Sequence, residues 1–335
     1  MVSLNIQKGE GYEKIVTHND FDGIVSASLC SWVLKIQKVI FVGPLTIARS
    51  QISITEKDVV CDLPYPLQCG LWFDHHEGNL QDLTLRKIDA QSIPGRFDLK
   101  PSCSRVVYEY FSEREEFPFY FLKAVEEADV IDSFSYSSIE DWRKETPGRM
   151  IDLTLKVPFT SAEDQASYMR NLVQQLRDRS IEEVSHLDFV QKWLKKYREE
   201  EGRMLRMIRD ATYFTEQDEK KEVVVIDLTP YQRRPHLIKN LAFLIYPEAL
   251  GVLEVYSLMD HQGVKSNNIG VSMSLSINGN RQDRSKNIGE IMRTLNMGDG
   301  HPGAAAGTVH CRSKQEMLKK KKEVLNQIFK LWCSQ

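Results

Sequence analysis

The sequence predicts an α/β fold in two parts: an N-terminal domain with a largely parallel sheet, and a smaller α/β domain reached through a helical linker. Three observations predict it. Short apolar runs near the N-terminus alternate with segments of helical spacing, the pattern of buried strands with crossover helices. Three of those runs hand over to Asp or His at their C-terminal ends, the edge of an open α/β sheet where ligands bind. After a long, charged helical stretch the pattern returns to strands, and 335 residues suit two cores better than one.

In chain order, residues 14–17 form a first strand that ends in the polar loop HNDFDG. Residues 24–36 carry apolar side chains at helical spacing. Strands are expected over 39–42, 58–61 and 71–73, the first stopped by the turn signal Gly43-Pro44. Helices are expected over 104–111 and 119–128. From about 161 to 214 the pattern is helical, with a capping-box start at Ser180 and Glu183. Strands over 223–228, 252–258 and 269–277, a helix over 288–295, a glycine-rich loop and a last helix over 314–332 complete the chain. The predicted division is a domain over 1–185, a linker over 186–214 and a second domain over 215–335.

Composition narrows the function classes. The apolar share is 41%, the charged share 27% and the formal net charge −3, so no global positive field favours a duplex nucleic acid. Six cysteines without a CxxC pair, set in apolar segments, are expected to be reduced core residues. The opening residues MVSLNIQKGEGYEK hold no apolar run, and no run approaches the roughly 18 residues of a membrane span. A cytoplasmic location and no membrane partner are expected.

The chemistry lies in four elements. His18-Asn19-Asp20-Phe21-Asp22-Gly23 sets two carboxylates two residues apart just after a strand, with Gly23 letting the chain turn away. Asp62 ends another strand in Cys-Asp-Leu-Pro. Asp74-His75-His76 ends a third, and Glu127-Ala128-Asp129 with Asp132 stands near a helix end. Each has a bland counterpart: a turn, a Ca2+ loop, a satisfied core histidine, a solvated helix end. Together they supply hard carboxylate oxygens and imidazoles, a donor set that suits Mn2+, Mg2+ or Co2+ better than a structural Zn2+. So many buried carboxylates imply cations. Two such ions about 3.5–4 Å apart activate a hydroxide and clamp an in-line displacement at phosphorus.

HNDFDG, CDLP, FDHH and EAD resemble, in order, the four motifs of the DHH phosphoesterase superfamily, which includes RecJ-type nucleases, bacterial nanoRNases and family II pyrophosphatases. Residues 298–307, GDGHPGAAAG, resemble the GGGHPxAAG signature of the DHH-associated substrate domain, with Asp299 in place of a glycine. The resemblance covers most of the chain outside 140–215. It implies His18, Asp20, Asp22, Asp62, His75 and Asp129 as ligands of two divalent cations, Mn2+ foremost. Asp132 is the alternative to Asp129. It further implies His76 facing the phosphate, Asp74 supporting it, and Arg105, Gly300 and His301 contacting substrate. The GxGxxG spelled by Gly298, Gly300 and Gly303 follows a helical pattern, so it is no dinucleotide fingerprint.

Arg281 and Arg284 are further candidates for lining the site. Lys319 to Lys322 are expected on a solvated face, and the pairs Phe119/Tyr120 and Tyr213/Phe214 in cores. The implied function is hydrolysis of phosphodiester bonds in short oligonucleotides or nucleotides, in a cleft between the domains. The rivals are a phosphomonoesterase or polyphosphatase and a catalytically silent nucleotide-binding protein. A homodimer is compatible with the sequence but demanded by none of its features.

Overall fold

The computed structural model describes residues 11–260, 262–277 and 286–335; Arg281 and Arg284 lie outside the described residues. The chain forms two compact units, one of Met1–Ser135 with Lys144–Tyr197, the other of Tyr136–Arg143 with Arg198–Gln335.

The first unit is built on a five-stranded sheet, β1 (Lys14–His18), β2 (Val39–Val42), β3 (Asp58–Cys61), β4 (Leu71–Asp74) and β5 (Gly95–Phe97). All its pairings are parallel, in the order β2-β1-β3-β4-β5. Strands β3 and β4 are buried along their whole length, as expected of a sheet covered on both faces. Helix α1 (Phe21–Leu34) is buried almost all round, the mark of a helix inside a core. It packs with α4 (Cys103–Ser112), α5 (Tyr120–Asp132) and α8 (Ala162–Asp178) on one face of the sheet. The short α2 (Pro44–Ala48) and α3 (Glu77–Leu85) help to close the other face over Val16, Val60 and Trp72.

The remaining helices are α6 (Ile139–Arg143), α7 (Pro147–Leu155), α9 (Ile181–Ser185) and α10 (Asp188–Ala211). The capping box read at Ser180 and Glu183 is present and opens α9. The long linker helix is α10. Its Val190, Leu194 and Tyr197 are buried, and Val190 belongs to the first unit's core.

The second unit holds a mixed sheet of β6 (Thr212–Tyr213), β7 (Val223–Asp227), β8 (Gly251–Met259), β9 (Lys265–Leu275), β10 (Gly298–His301) and β11 (Ala304–Val309). Its order is β10-β11-β9-β8-β7-β6, and only β7 and β8 pair in parallel. Helices α11 (Ile288–Thr294) and α12 (Lys314–Ser334) cover one face through Ile291, Phe329 and Trp332.

Several expectations need correction. The glycine-rich segment is a β-hairpin, not a loop, and it pairs along β9. Lys321 is not solvated: its ammonium donates to Asp227 at 2.7 Å and Thr229 at 2.9 Å. Phe119 is exposed, whereas Tyr120 packs against the core. Cys333 is exposed, and the other five cysteines are buried. Among the described residues no helix is long and apolar enough to cross a membrane.

Candidate metal centre

In the order β2-β1-β3-β4-β5 the chain steps from β1 to β2 on one side and then to β3 on the other. Such a switch point opens a crevice at the strands' C-terminal ends. His18 ends β1, and Asp20 caps α1 by accepting the Gly23 N–H at 2.9 Å. A methyl group at Gly23 would lie 2.2 Å from the His18 carbonyl oxygen, so only glycine lets α1 start this close to the strand. Asp22 follows in the first helical turn. Its two oxygens accept the N–H groups of Cys103 at 2.7 Å and Ser104 at 2.9 Å, where α4 begins.

Asp62 follows β3 in the left-handed region, at φ 58°. Aspartate tolerates that conformation better than most residues, and such strain collects at functional sites. Beyond β4, the Nδ1 of His75 lies 3.0 Å from the Lys100 carbonyl oxygen. That contact assigns the proton to Nδ1 and leaves Nε2 a lone-pair donor. Asp74 is fully buried and accepts from His76 Nδ1 at 2.8 Å and from Asn79 at 2.6 Å. Neither Asn79 nor the Lys100 carbonyl was read from the sequence. The signal available for Asn79 was its place in the first turn of the helix that follows FDHH.

The side chains converge. His18 Nδ1 lies 2.6 Å from Asp20 and 3.6 Å from Asp62. His75 Nε2 lies 3.3 Å from Asp132 and 3.6 Å from Asp62, and His76 Nδ1 lies 3.7 Å from Asp62. Three sets of donor atoms each lie within 4.8 Å of one another: His18 with Asp20 and Asp62, Asp22 with His75 and Asp132, and Asp62 with both His75 and His76.

Both carboxylate oxygens of Asp62 and the Nε2 of His75 are buried without a hydrogen-bond partner. Orphaned buried acceptors of this kind are costly in a fold. A divalent cation satisfies them, and a set of carboxylate oxygens with imidazole nitrogens is one that Mn2+ or Mg2+ accepts. The residues therefore fit the group.

Protonation in the absence of a cation reflects the same crowding. Burial disfavours charge on His18, but the carboxylates of Asp20 and Asp62 outweigh it and raise its pKa to about 10. His75 reaches about 10 as well, with burial opposed by Asp62, Asp22 and Asp132. Burial, with Asp62 beside it, pushes Asp132 up to about 6 and Asp22 well above the carboxylate range. Burial acts on Asp62 in the same sense, but the neighbouring imidazoles hold its pKa below the usual value. At 3.6 Å the His18 and His75 contacts to Asp62 are electrostatic rather than hydrogen-bonded.

Asp129 is the expectation that the geometry corrects. Its carboxylate is committed elsewhere, to Arg105 Nε at 2.9 Å and Nη2 at 2.5 Å and to the Ser102 hydroxyl at 2.6 Å. Asp132, one turn later on α5, enters the cluster instead. Arg105 is the other half of that pair, so its expected role at substrate gives way to pinning α4 against α5. Gly300 and His301 lie on β10 of the second unit, and His301 is exposed. Asp299 bonds to Arg293 at 2.7 Å and to the Gly300 N–H at 2.8 Å.

No protein-family model and no curated protein matches the chain. Solved structures do match. A pGpG-specific phosphodiesterase, PggH of Vibrio cholerae, is 24% identical with a TM-score of 0.70, over 94% of this chain and 98% of that one. RecJ of Thermus thermophilus with Mn2+ is 13% identical, TM-score 0.55, over 97% of this chain and 52% of that one. The DHH domain of PF0399, described as a member of the s1p family of ribosomal proteins, is 14% identical. Its TM-score is 0.56, over 96% of this chain and 86% of that one. Over nearly its whole length the chain therefore has the fold of the DHH-domain proteins.

Proposed function

We propose that the chain is a divalent-cation-dependent phosphoesterase that hydrolyses phosphodiester bonds of short linear nucleotides, with a dinucleotide as the preferred substrate. The observation that carries the reading is the orphaned set at the sheet edge, Asp62 Oδ1 and Oδ2 with His75 Nε2, ringed by Asp20, Asp22 and Asp132. The likeness along nearly the full length of both chains to a pGpG-specific phosphodiesterase supports the dinucleotide. The formal charge of −3 supports a small substrate over a duplex.

One cation would be held by His18, Asp20 and Asp62, another by Asp22, His75 and Asp132, with Asp62 within reach of both. Such cations lower the pKa of a water and offset charge developing on phosphoryl oxygens. The chain's own groups do the rest. The α4 amides hold Asp22, the Lys100 carbonyl sets the tautomer of His75, and Asp74 with Asn79 orients His76. With Nδ1–H given to Asp74, His76 presents Nε2 to a phosphoryl oxygen or a departing alkoxide. Burial disfavours its charge, but Asp74 raises its pKa, which suits a proton donor.

The test is product release from 5′-phosphorylated di- to pentanucleotides with Mn2+, beside an Asp74→Ala/His75→Ala double variant. The expected result is mononucleotide release, fastest from the dinucleotide, dependent on cation and lost in the variant. A folded, Mn2+-loaded chain that releases nothing contradicts the reading. Phosphate release from polyphosphate or a nucleotide bisphosphate would then replace it.

A further inference from the structure

The second unit carries a charged cluster that the metal centre does not use. Along β8 and β9, Leu253, Val255, Val271 and Met273 face the core under α11 and α12. Strand side chains alternate, so Glu254, Tyr256, Gly270 and Ser272 lie on the opposite face. The register aligns Glu254 with Ser272, Ser272 with Ala306 and Ala306 with Asp299, in one row across four strands. Ala304 and Ala306 on this face are exposed although they lie in a sheet.

At one side of this face stand Arg234, Lys239, Glu254 and Tyr256. Glu254 is 2% exposed, and Arg234 holds it through Nε at 2.9 Å and Nη2 at 2.8 Å. The guanidinium lies over the Tyr256 ring, 3.5 Å from its centre. That ring lies flat only because position 270 is glycine: a methyl group there would come within 2.4 Å of it. Lys239 opens a 3-10 turn, Lys239–Leu244, whose Leu241, Ala242 and Phe243 are buried. Its ammonium donates to the Ser272 hydroxyl at 2.9 Å. Among the described residues no carboxylate lies within ion-pair distance of it. Two cations thus share one buried carboxylate, and the cluster is one positive charge in excess.

We propose that Arg234, Lys239 and Ser272 form a phosphate subsite that takes the terminal phosphomonoester of a nucleotide substrate. The guanidinium has N–H groups left over from Glu254, the ammonium has two protons left over from Ser272, and the small residues of β9 and β11 leave room on the sheet. Charged donors of two geometries beside a hydroxyl match the several oxygens of a phosphate dianion better than the two of a carboxylate. Burial pulls the Lys239 pKa down and Arg234 adds to it, against Glu254; a bound anion opposes both. The bearer of the phosphate, a nucleotide, rests on the phosphoesterase reading above; the anion site itself does not.

The test pairs a dinucleotide with and without its 5′-phosphate. Calorimetry on the full chain in chelator keeps the ligand intact and measures binding without turnover. The wild type is expected to prefer the phosphorylated form by about tenfold or more, the worth of one charge-assisted contact. Lys239→Met is expected to erase that preference and Lys239→Arg to keep most of it. Ser272→Ala, a smaller change, is expected to weaken it. With Mn2+, Lys239→Met is expected to raise KM for the phosphorylated dinucleotide and leave kcat in place. A wild type without preference, or a folded Lys239→Met that retains it, overturns the subsite. Inorganic phosphate as competitor separates the sources: displacement only of the phosphorylated form supports a phosphate site, and equal displacement of both forms contradicts one. Should the chain hydrolyse nothing, the binding series still decides.

Discussion

At the scale of single residues, Asp129 and Asp132 separate two roles that one acidic motif conflated. They stand three positions apart on α5, about 60° apart around its axis. Sequence spacing cannot say which of them faces the sheet edge; that depends on how α5 is rotated against α4, a tertiary matter. In the structure Asp129 pins α4 through Arg105 and Ser102, and Asp132 enters the cluster. Asp132→Asn is expected to cut turnover of a dinucleotide by about 100-fold or more and leave melting unchanged or raised, since it removes one of several crowded carboxylates. Asp129→Asn is expected to retain most activity and to cost about 1.5–3 kcal/mol of stability, because it weakens charge-assisted hydrogen bonds. Kinetics and thermal melting of the two variants check both. The reverse pattern would return Asp129 to the ligand set. Asp62, by contrast, was legible from the sequence as a strand-end carboxylate, although its left-handed backbone and orphaned oxygens were not.

At the scale of elements, the ends of β1, β3 and β4 and the first turns of α1 and α4 bring acidic groups together that repel one another without a cation. The resulting pH dependence has a definite sign. His18 and His75 have folded-state pKa values raised from 6.5 to about 10. Their stabilisation is fully present below 6.5 and is lost as pH rises through 10. Asp132, raised to about 6, acts in the same direction at lower pH, losing stability as pH climbs from its ordinary value through 6. The melting temperature of the chelated chain is therefore expected to fall between pH 6.5 and 10. Added Mn2+ is expected to flatten the slope, since a cation takes the place of the protons. Calorimetric scans with and without chelator check it, and a chelated chain whose melting point rises over that window contradicts the crowded-carboxylate account. The strands that carry this edge were legible because buried β-runs stop abruptly at polar residues. The hairpin of β10 and β11 was not, since Gly and Ala give no apolar-polar contrast from which to read a two-residue period. Nor was β5, a three-residue strand with glycine first.

At the scale of the whole molecule, the sequence order of the motifs becomes one spatial cluster because a parallel sheet sends every strand's C-terminus to the same edge. That rule is why the metal centre was readable from strand endings alone. The pairing of Lys239 with Ser272 joins residues 33 apart across the second unit, and nothing local in the sequence announces it. The account's central claim is that the chain holds catalytic divalent cations through Asp62 and its neighbours. Equilibrium dialysis against Mn2+ with elemental analysis tests it most directly. Wild type is expected to retain about two Mn2+ per chain, and folded Asp62→Asn to lose at least one of them. Wild type that retains none, or a folded Asp62→Asn that retains as much as wild type, would contradict the claim.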